Sequence, residues 1–282
     1  MQLTPRYEGP AILTIDGPPG EIGEALARQR RRMETMLAGL SDEQWDAPTR
    51  CDGWAVRDVV AHLIGVNSFW HVSLVSGLGG APTRFIAGFD PAASPPQMVA
   101  AMGPLSGARL LEQFVATNDA LIGAADGLDD DGWRAVAEAP PGHVSIRVMA
   151  QHALWDSWVH ERDIAVPLGL LCVAEPDEVR ACLQYAAAIS PALGLGLGPV
   201  AIGVYTVSAT APDVRFVVDV GDSVSLTVDA SASDDIPCLC GDAVELTEAL
   251  SLRAPMPPST PPRWKELING LQTAFDAPRG RE

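Results

Sequence analysis

The feature that most constrains this chain is a change in hydrophobic period near residue 168. Before it, apolar residues recur at helical spacing; after it, one further helical stretch gives way to β-branched stretches that alternate as strands do. Segments of such different period build different layers, so the 282-residue chain is expected to hold two domains, 1–168 and 169–282.

Four long helices are expected in the first. Ile22, Leu26, Met33, Met36, Leu37 and Leu40 mark one over 21–40, and Val56, Val59, Val60, Leu63, Ile64 and Val66 another over 55–76, entered through the turn dipeptide Asp52-Gly53. The third runs over 97–127 with a bend at Gly103-Pro104; the fourth covers 145–166, after the breaker run Pro140-Pro141-Gly142. Short turns are expected at 41–43 and 129–131, and the glycine- and proline-rich stretch 77–96 as a long loop of the kind that lines a site. This pattern implies an N-terminal antiparallel four-helix bundle. Beyond Pro167-Leu168-Gly169, a helix over 177–189 precedes strands at 200–208, 215–220 and 224–228, with a hairpin at Gly221-Asp222. Helices over 242–252 and 263–275 complete a small α+β domain.

Charge narrows the partners. A formal net charge of −17 repels nucleic acid and anionic membranes, so neither is expected, and a small molecule is. The one basic cluster, Arg28, Arg30, Arg31 and Arg32, reads as a solvated helix face rather than a binding patch, with Glu24 and Glu34 beside it. Residues 181–212 carry no charge, enough to span a bilayer at about 20 residues. Pro191, Pro199 and the glycines at 194, 196, 198 and 203 would break such a helix, so a helix end, a loop and a buried strand are expected instead. The N-terminus has no basic region followed by an apolar run, and a cytoplasmic location is expected. Five scattered cysteines suit reduced thiols; Cys238-x-Cys240 could attract a soft metal but lacks a second pair at finger-like spacing.

The residues that carry chemistry lie on the fourth helix. Positions four apart are about 40° apart around the axis, so Asp156 and His160 project onto one face from successive turns and can share an ion. His62, on the second helix, can supply a third ligand across the bundle interior. D-x-x-x-H alone equally describes a hydrogen-bonded core pair. His152, one turn earlier, reads as a fourth ligand, a donor behind the ligands or a core histidine, and His71 and His143 as structural. Trp54, Trp70, Trp155 and Trp158 read as core, with one of them a candidate pocket wall.

Trp45, Pro48-Thr49-Arg50-Cys51-Asp52-Gly53-Trp54, Val56-Arg57-Asp58-Val59-Val60-Ala61-His62-Leu63 and Val159-His160-x-x-Asp163 together resemble the mycothiol-dependent maleylpyruvate isomerase family, a branch of the DinB-like metal-binding bundles. The resemblance implies a DinB-like bundle followed by a sterol-carrier-like domain, whose helix is matched by Gly241-Asp242-Ala243 through Leu250-Ser251-Leu252-Arg253. It implies a divalent metal, zinc foremost, on His62, Asp156 and His160, and mycothiol as thiol cosubstrate. The family's carboxylate is commonly glutamate; Asp156 is one methylene shorter, which calls for closer helices, a bridging water or a bundle without its metal. A catalytic arginine from the small domain is also implied, with Arg253 preferred over Arg215. Arginine-rich composition with Lys265 as the single lysine suits the GC-rich coding of actinobacteria, whose low-molecular-weight thiol is mycothiol.

Two imidazoles and a carboxylate leave coordination positions open, the catalytic pattern for zinc. The expected activity is a metal-dependent, mycothiol-dependent transferase or cis-trans isomerase acting on a small electrophile, from a monomer or homodimer. A ligand-binding protein, a metal-independent enzyme on the same bundle and a metal hydrolase using water are the competing readings. Thiol-dependent turnover, ligand retention without metal and thiol-independent turnover tell them apart.

Overall fold

A computed structural model describes residues 2–18, 20–197, 201–228, 236 and 238–276. Its helical half is built on α1 (Glu21–Ala38), α3 (Val56–Leu78), α5 (Gly107–Ala125) and α7 (Ile146–Ala165), with the short α2 (Asp42–Trp45) and α6 (Asp130–Arg134) between them. α1 and α3 each pack on both α5 and α7. Met33, Leu37, Val56, Val59, Val60, Leu63, Leu110 and Phe114 fill part of the space between them. Ser106 and Ser145 start α5 and α7 by accepting the backbone N–H of Arg109 and Val148, satisfying donors that a helix start leaves free. By length and composition alone α3 could cross a membrane, yet it is a core helix of this bundle, with Asn67 and Ser73 buried among its apolar residues.

The structure corrects several sequence expectations here. The third helix is broken rather than bent: α4 (Ser94–Met102) ends at Gly103, whose φ of 68° reverses the chain, and α5 starts afresh beyond Pro104. The Pro140-Pro141 run is the turn of a hairpin, β2 (Val136–Ala139) with β3 (Gly142–Ser145), not a plain break. Gly142 (φ 128°) is required there, because a Cβ would lie 2.1 Å from the Arg6 carbonyl oxygen. The arginine cluster is a solvated face only in part, with Arg28 and Arg31 exposed and Arg31 paired with Glu34. Arg30 is 1% exposed, while Arg28 and Arg32 pair with Asp177, Glu178 and Glu161 and so tie α1 to α7 and α8 (Pro176–Leu197).

α8 also outruns its expected end at 189, continuing through Pro191. A proline there cannot donate to the Ala187 carbonyl, and the Tyr205 hydroxyl donates to that carbonyl instead. α8 lies against α1 and α7 on one side and the sheet on another. That sheet runs β1 (Leu13–Ile15), β6 (Val224–Val228), β5 (Val214–Val220), β4 (Gly203–Thr210), β7 (Cys238–Asp242), with β1 parallel to β6 and β7 parallel to β4. The strand β1, from the N-terminal segment, was not anticipated from sequence: three residues are too few to show a period. Buried residues of the sheet, α8 and α7 form one continuous core. α9 (Ala243–Leu250) is capped by Asp242, and the expected final helix is two, α10 (Pro262–Leu267) and α11 (Gly270–Asp276). Val200, the expected first residue of β4, lies outside the described residues.

Candidate metal centre

The site forms where α3, α7, the 48–55 loop and the end of α9 converge. The loop is held by Thr49, whose hydroxyl accepts the Cys51 N–H and donates to the Trp54 carbonyl, with Gly53 (φ 76°) making the tight turn. Arg50 N–H donates to the Asp163 carbonyl, docking the loop on α7. At its other border, α9 ends in a Schellman pattern: Leu252 N–H donates to Ala249 O and Arg253 N–H to Glu248 O, with Leu252 at φ 62°. A leucine in that left-handed conformation is strained, and the turn aims Arg253 back at the bundle.

His62, Asp156 and His160 come together. Their nearest ligand atoms all lie within 4.8 Å of one another, with Asp156 Oδ1 3.9 Å from His62 Nε2 and 3.7 Å from His160 Nε2. Ligands on a tetrahedral ion with bonds of roughly 2.1 Å sit about 3.4 Å apart, so the aspartate reaches both imidazoles with little adjustment. Asp156 Oδ2 and His62 Nδ1 are buried without a hydrogen-bond partner, a costly arrangement that a bound cation would relieve at the carboxylate. The donor set and its orphaned oxygen fit a divalent metal. Burial works to raise the Asp156 carboxyl, but the neighbouring imidazoles more than offset it and hold it below the usual carboxylate range. The Trp54 ring flanks His62 at 5.5 Å between centroids.

Behind His160 lies a second group, Cys51, His160 and Asp163, that also has metal-like spacing. Its valences are filled. Asp163 is fully buried and accepts from Arg50 Nε (3.0 Å), Arg253 Nε and Nη2 (2.9 and 2.8 Å) and Cys51 Sγ (3.2 Å). His160 Nδ1 lies 3.0 Å from Asp163 Oδ2; an ionised carboxylate only accepts, so Nδ1 carries the proton and Nε2 is left facing Asp156. Burial would lower the His160 imidazole, but Asp163 and Cys51, then Asp156, push it up to about 10. Glu248 joins in, accepting from Arg50 and Arg162.

Arg253 thus touches Asp163 and, at 3.8 Å, Cys51 Sγ, whereas Arg215 is exposed on β5 and apart from this cluster. His152 is a partner of neither group: Nδ1 meets the Tyr185 hydroxyl at 2.5 Å, amid Trp70, Trp155 and Tyr185. Burial, only partly countered by Asp156, lowers its imidazole to about 4. His143 Nε2 meets the Thr83 carbonyl at 2.9 Å, away from the site. Sequence reasoning recorded Asp163 only as part of a motif, and Arg50, Glu248 and Cys51 not as members of a cluster. The available signal was the three-residue spacing from His160, which places Asp163 on the neighbouring turn.

Residues 26–165 match the family described as the mycothiol maleylpyruvate isomerase N-terminal domain. The helical segment belongs to that family. Crystal structures of the mycothiol-dependent maleylpyruvate isomerase and of a mutant of it share the fold over 86% of this chain and 97% of theirs, with TM-scores of 0.59 and 0.60 at 14% and 12% identity. The isomerase-like architecture therefore extends well beyond the bundle. Two uncharacterized proteins of Mycobacterium tuberculosis, from strains CDC 1551 / Oshkosh and ATCC 25618 / H37Rv, are 24% identical over 153 residues, 54% of this chain and 58% of their own length.

Proposed function

We propose that this protein is a metal- and mycothiol-dependent transferase or isomerase acting on a small electrophile, with His62, Asp156 and His160 as metal ligands. The observation that carries the reading is the Asp156 carboxylate, whose Oδ1 lies 3.9 and 3.7 Å from the His62 and His160 imidazoles while its Oδ2 is buried without a partner. A divalent ion, zinc foremost, supplies Lewis acidity there, lowering the pKa of a bound thiol or polarising a carbonyl. His62 and Asp156 hold their places from facing helices, α3 and α7, which fixes the ligand geometry before anything binds. Asp163 holds one His160 proton on Nδ1, so that Nε2 is the nitrogen that would give up its proton and serve as the donor atom when a metal binds. Arg50 and Arg253 balance the Asp163 charge, which would otherwise be buried unpaired. Arg253, which the resemblance assigns to catalysis, acts on this reading as a positioning residue through Asp163. Trp54 provides an apolar wall beside His62.

The test begins with elemental analysis of untagged protein prepared without chelator, followed by consumption of an electrophile such as maleylpyruvate with and without mycothiol. Stoichiometric metal and turnover that needs both thiol and metal are expected. Protein that neither carries nor takes up a divalent ion would overturn the reading, and turnover indifferent to thiol would replace it with a hydrolase.

A further inference from the structure

Far from the metal centre in sequence, β7 carries Cys238 and Cys240, both exposed. Leu239 between them is 1% exposed and pairs in register with the buried Val207 of β4. Because side chains alternate along a strand, burying Leu239 forces both thiols onto the opposite face of the sheet. Their sulfurs lie 2.9 Å apart. Among the described residues β7 is an edge strand, paired with β4 alone, and both of its thiols are exposed. The three other cysteines are placed differently: Cys182 is buried in the core, Cys51 belongs to the Asp163 cluster and Cys172 has no neighbouring thiol among the described residues.

We infer that Cys238 and Cys240 form a dithiol site that exchanges with low-molecular-weight disulfides and closes to an intramolecular disulfide. One thiolate attacks the external disulfide RSSR, forming a protein–SR mixed disulfide and releasing RS⁻. The second then attacks the protein sulfur, closing the Cys238–Cys240 bond and releasing another RS⁻. The protein loses two protons and two electrons, RSSR gains both electrons, and the protons leave on the two RSH molecules.

Geometry also sets how readily the bond returns. Residues two apart on a strand have Cα atoms about 6.7 Å apart. That is near the upper end of the roughly 4.4–6.8 Å that disulfides span. Closure therefore needs β7 to contract locally between Cys238, its first residue, and Cys240, both of which pair with β4. A disulfide under such constraint is the more easily reduced kind, so the pair works reversibly with the thiol pool rather than as a permanent staple. The inference does not depend on the metal centre.

The experiment uses the full chain, oxidised glutathione as the disulfide probe, and differential alkylation with peptide mass mapping. Expected for the wild type is the joint loss of alkylatable Cys238 and Cys240, with a peptide lighter by two hydrogens and restored by excess reduced glutathione. Cys238→Ser and Cys240→Ser should each stop at the mixed disulfide, gaining one glutathionyl group on the remaining cysteine. Wild type that accumulates the mixed disulfide without closing, or that leaves both thiols alkylatable while Cys51 or Cys172 reacts, would overturn the proposal.

Discussion

Two clusters share His160 and pass the same test of spacing, yet they are opposites. The His62–Asp156–His160 group has a carboxylate oxygen and an imidazole nitrogen buried with nothing to bind. In the Cys51–His160–Asp163 group the carboxylate accepts from two arginines, a thiol and an imidazole, with no lone pair left for an ion. Ligand spacing alone therefore does not separate the two candidates; the unsatisfied carboxylate does. The saturated group also has a use for the open one, since it orients the shared histidine.

The strongest way to break this comparison is to remove ligands from one side only. His62→Ala and Asp156→Ala should each abolish metal retention measured by elemental analysis, while the fold survives by circular dichroism. Asp163→Asn should act in the other manner. It leaves Arg253 without its carboxylate and Arg50 with Glu248 alone, so thermal or urea unfolding should show a loss of about 3–5 kcal/mol. At saturating metal the stoichiometry should persist with affinity weakened roughly 10–100-fold, as expected for a residue behind the ligands. Complete loss of metal in Asp163→Asn with a stable fold would instead make Asp163 a ligand.

A pH titration sharpens the contrast between His160 and the neighbouring His152. The His152 imidazole is lowered to about 4, so between its ordinary value of 6.5 and about 4 the unfolded chain takes up a proton that the folded chain refuses. Stability of the metal-free protein should accordingly fall as pH drops through that window, and His152→Phe should flatten the slope. The smallest effect is expected from Cys51→Ser. A hydroxyl can still donate to Asp163, so metal content should be unchanged and unfolding shifted by under about 1 kcal/mol.

Much of the site was legible in one dimension because helices convert spacing into direction. Asp156 and His160 could be placed on one face by counting, and the apolar stripes around His62 put it on a facing helix. The Asp163 cluster was not legible, because Arg50, Glu248 and Arg253 come from a loop and a helix end separated by about two hundred residues. Nothing in local period relates such positions. The same limit hid β1, whose partner β6 lies across the chain, and the hairpin at Pro140-Pro141, where breaker residues masked two short strands.

By itself the sequence determined the helical first part and the strands of the second, since each depends on periodicity that a few neighbouring residues express, and its motifs, through the family they resemble, pointed to the three candidate ligands. Tertiary structure decided which histidines share a carboxylate, which carboxylate is already occupied by arginine, and that Arg253 faces Asp163. Those outcomes depend on long-range packing of α9 and the 48–55 loop against α7, where burial makes an unpaired charge too costly to leave and so selects the partners.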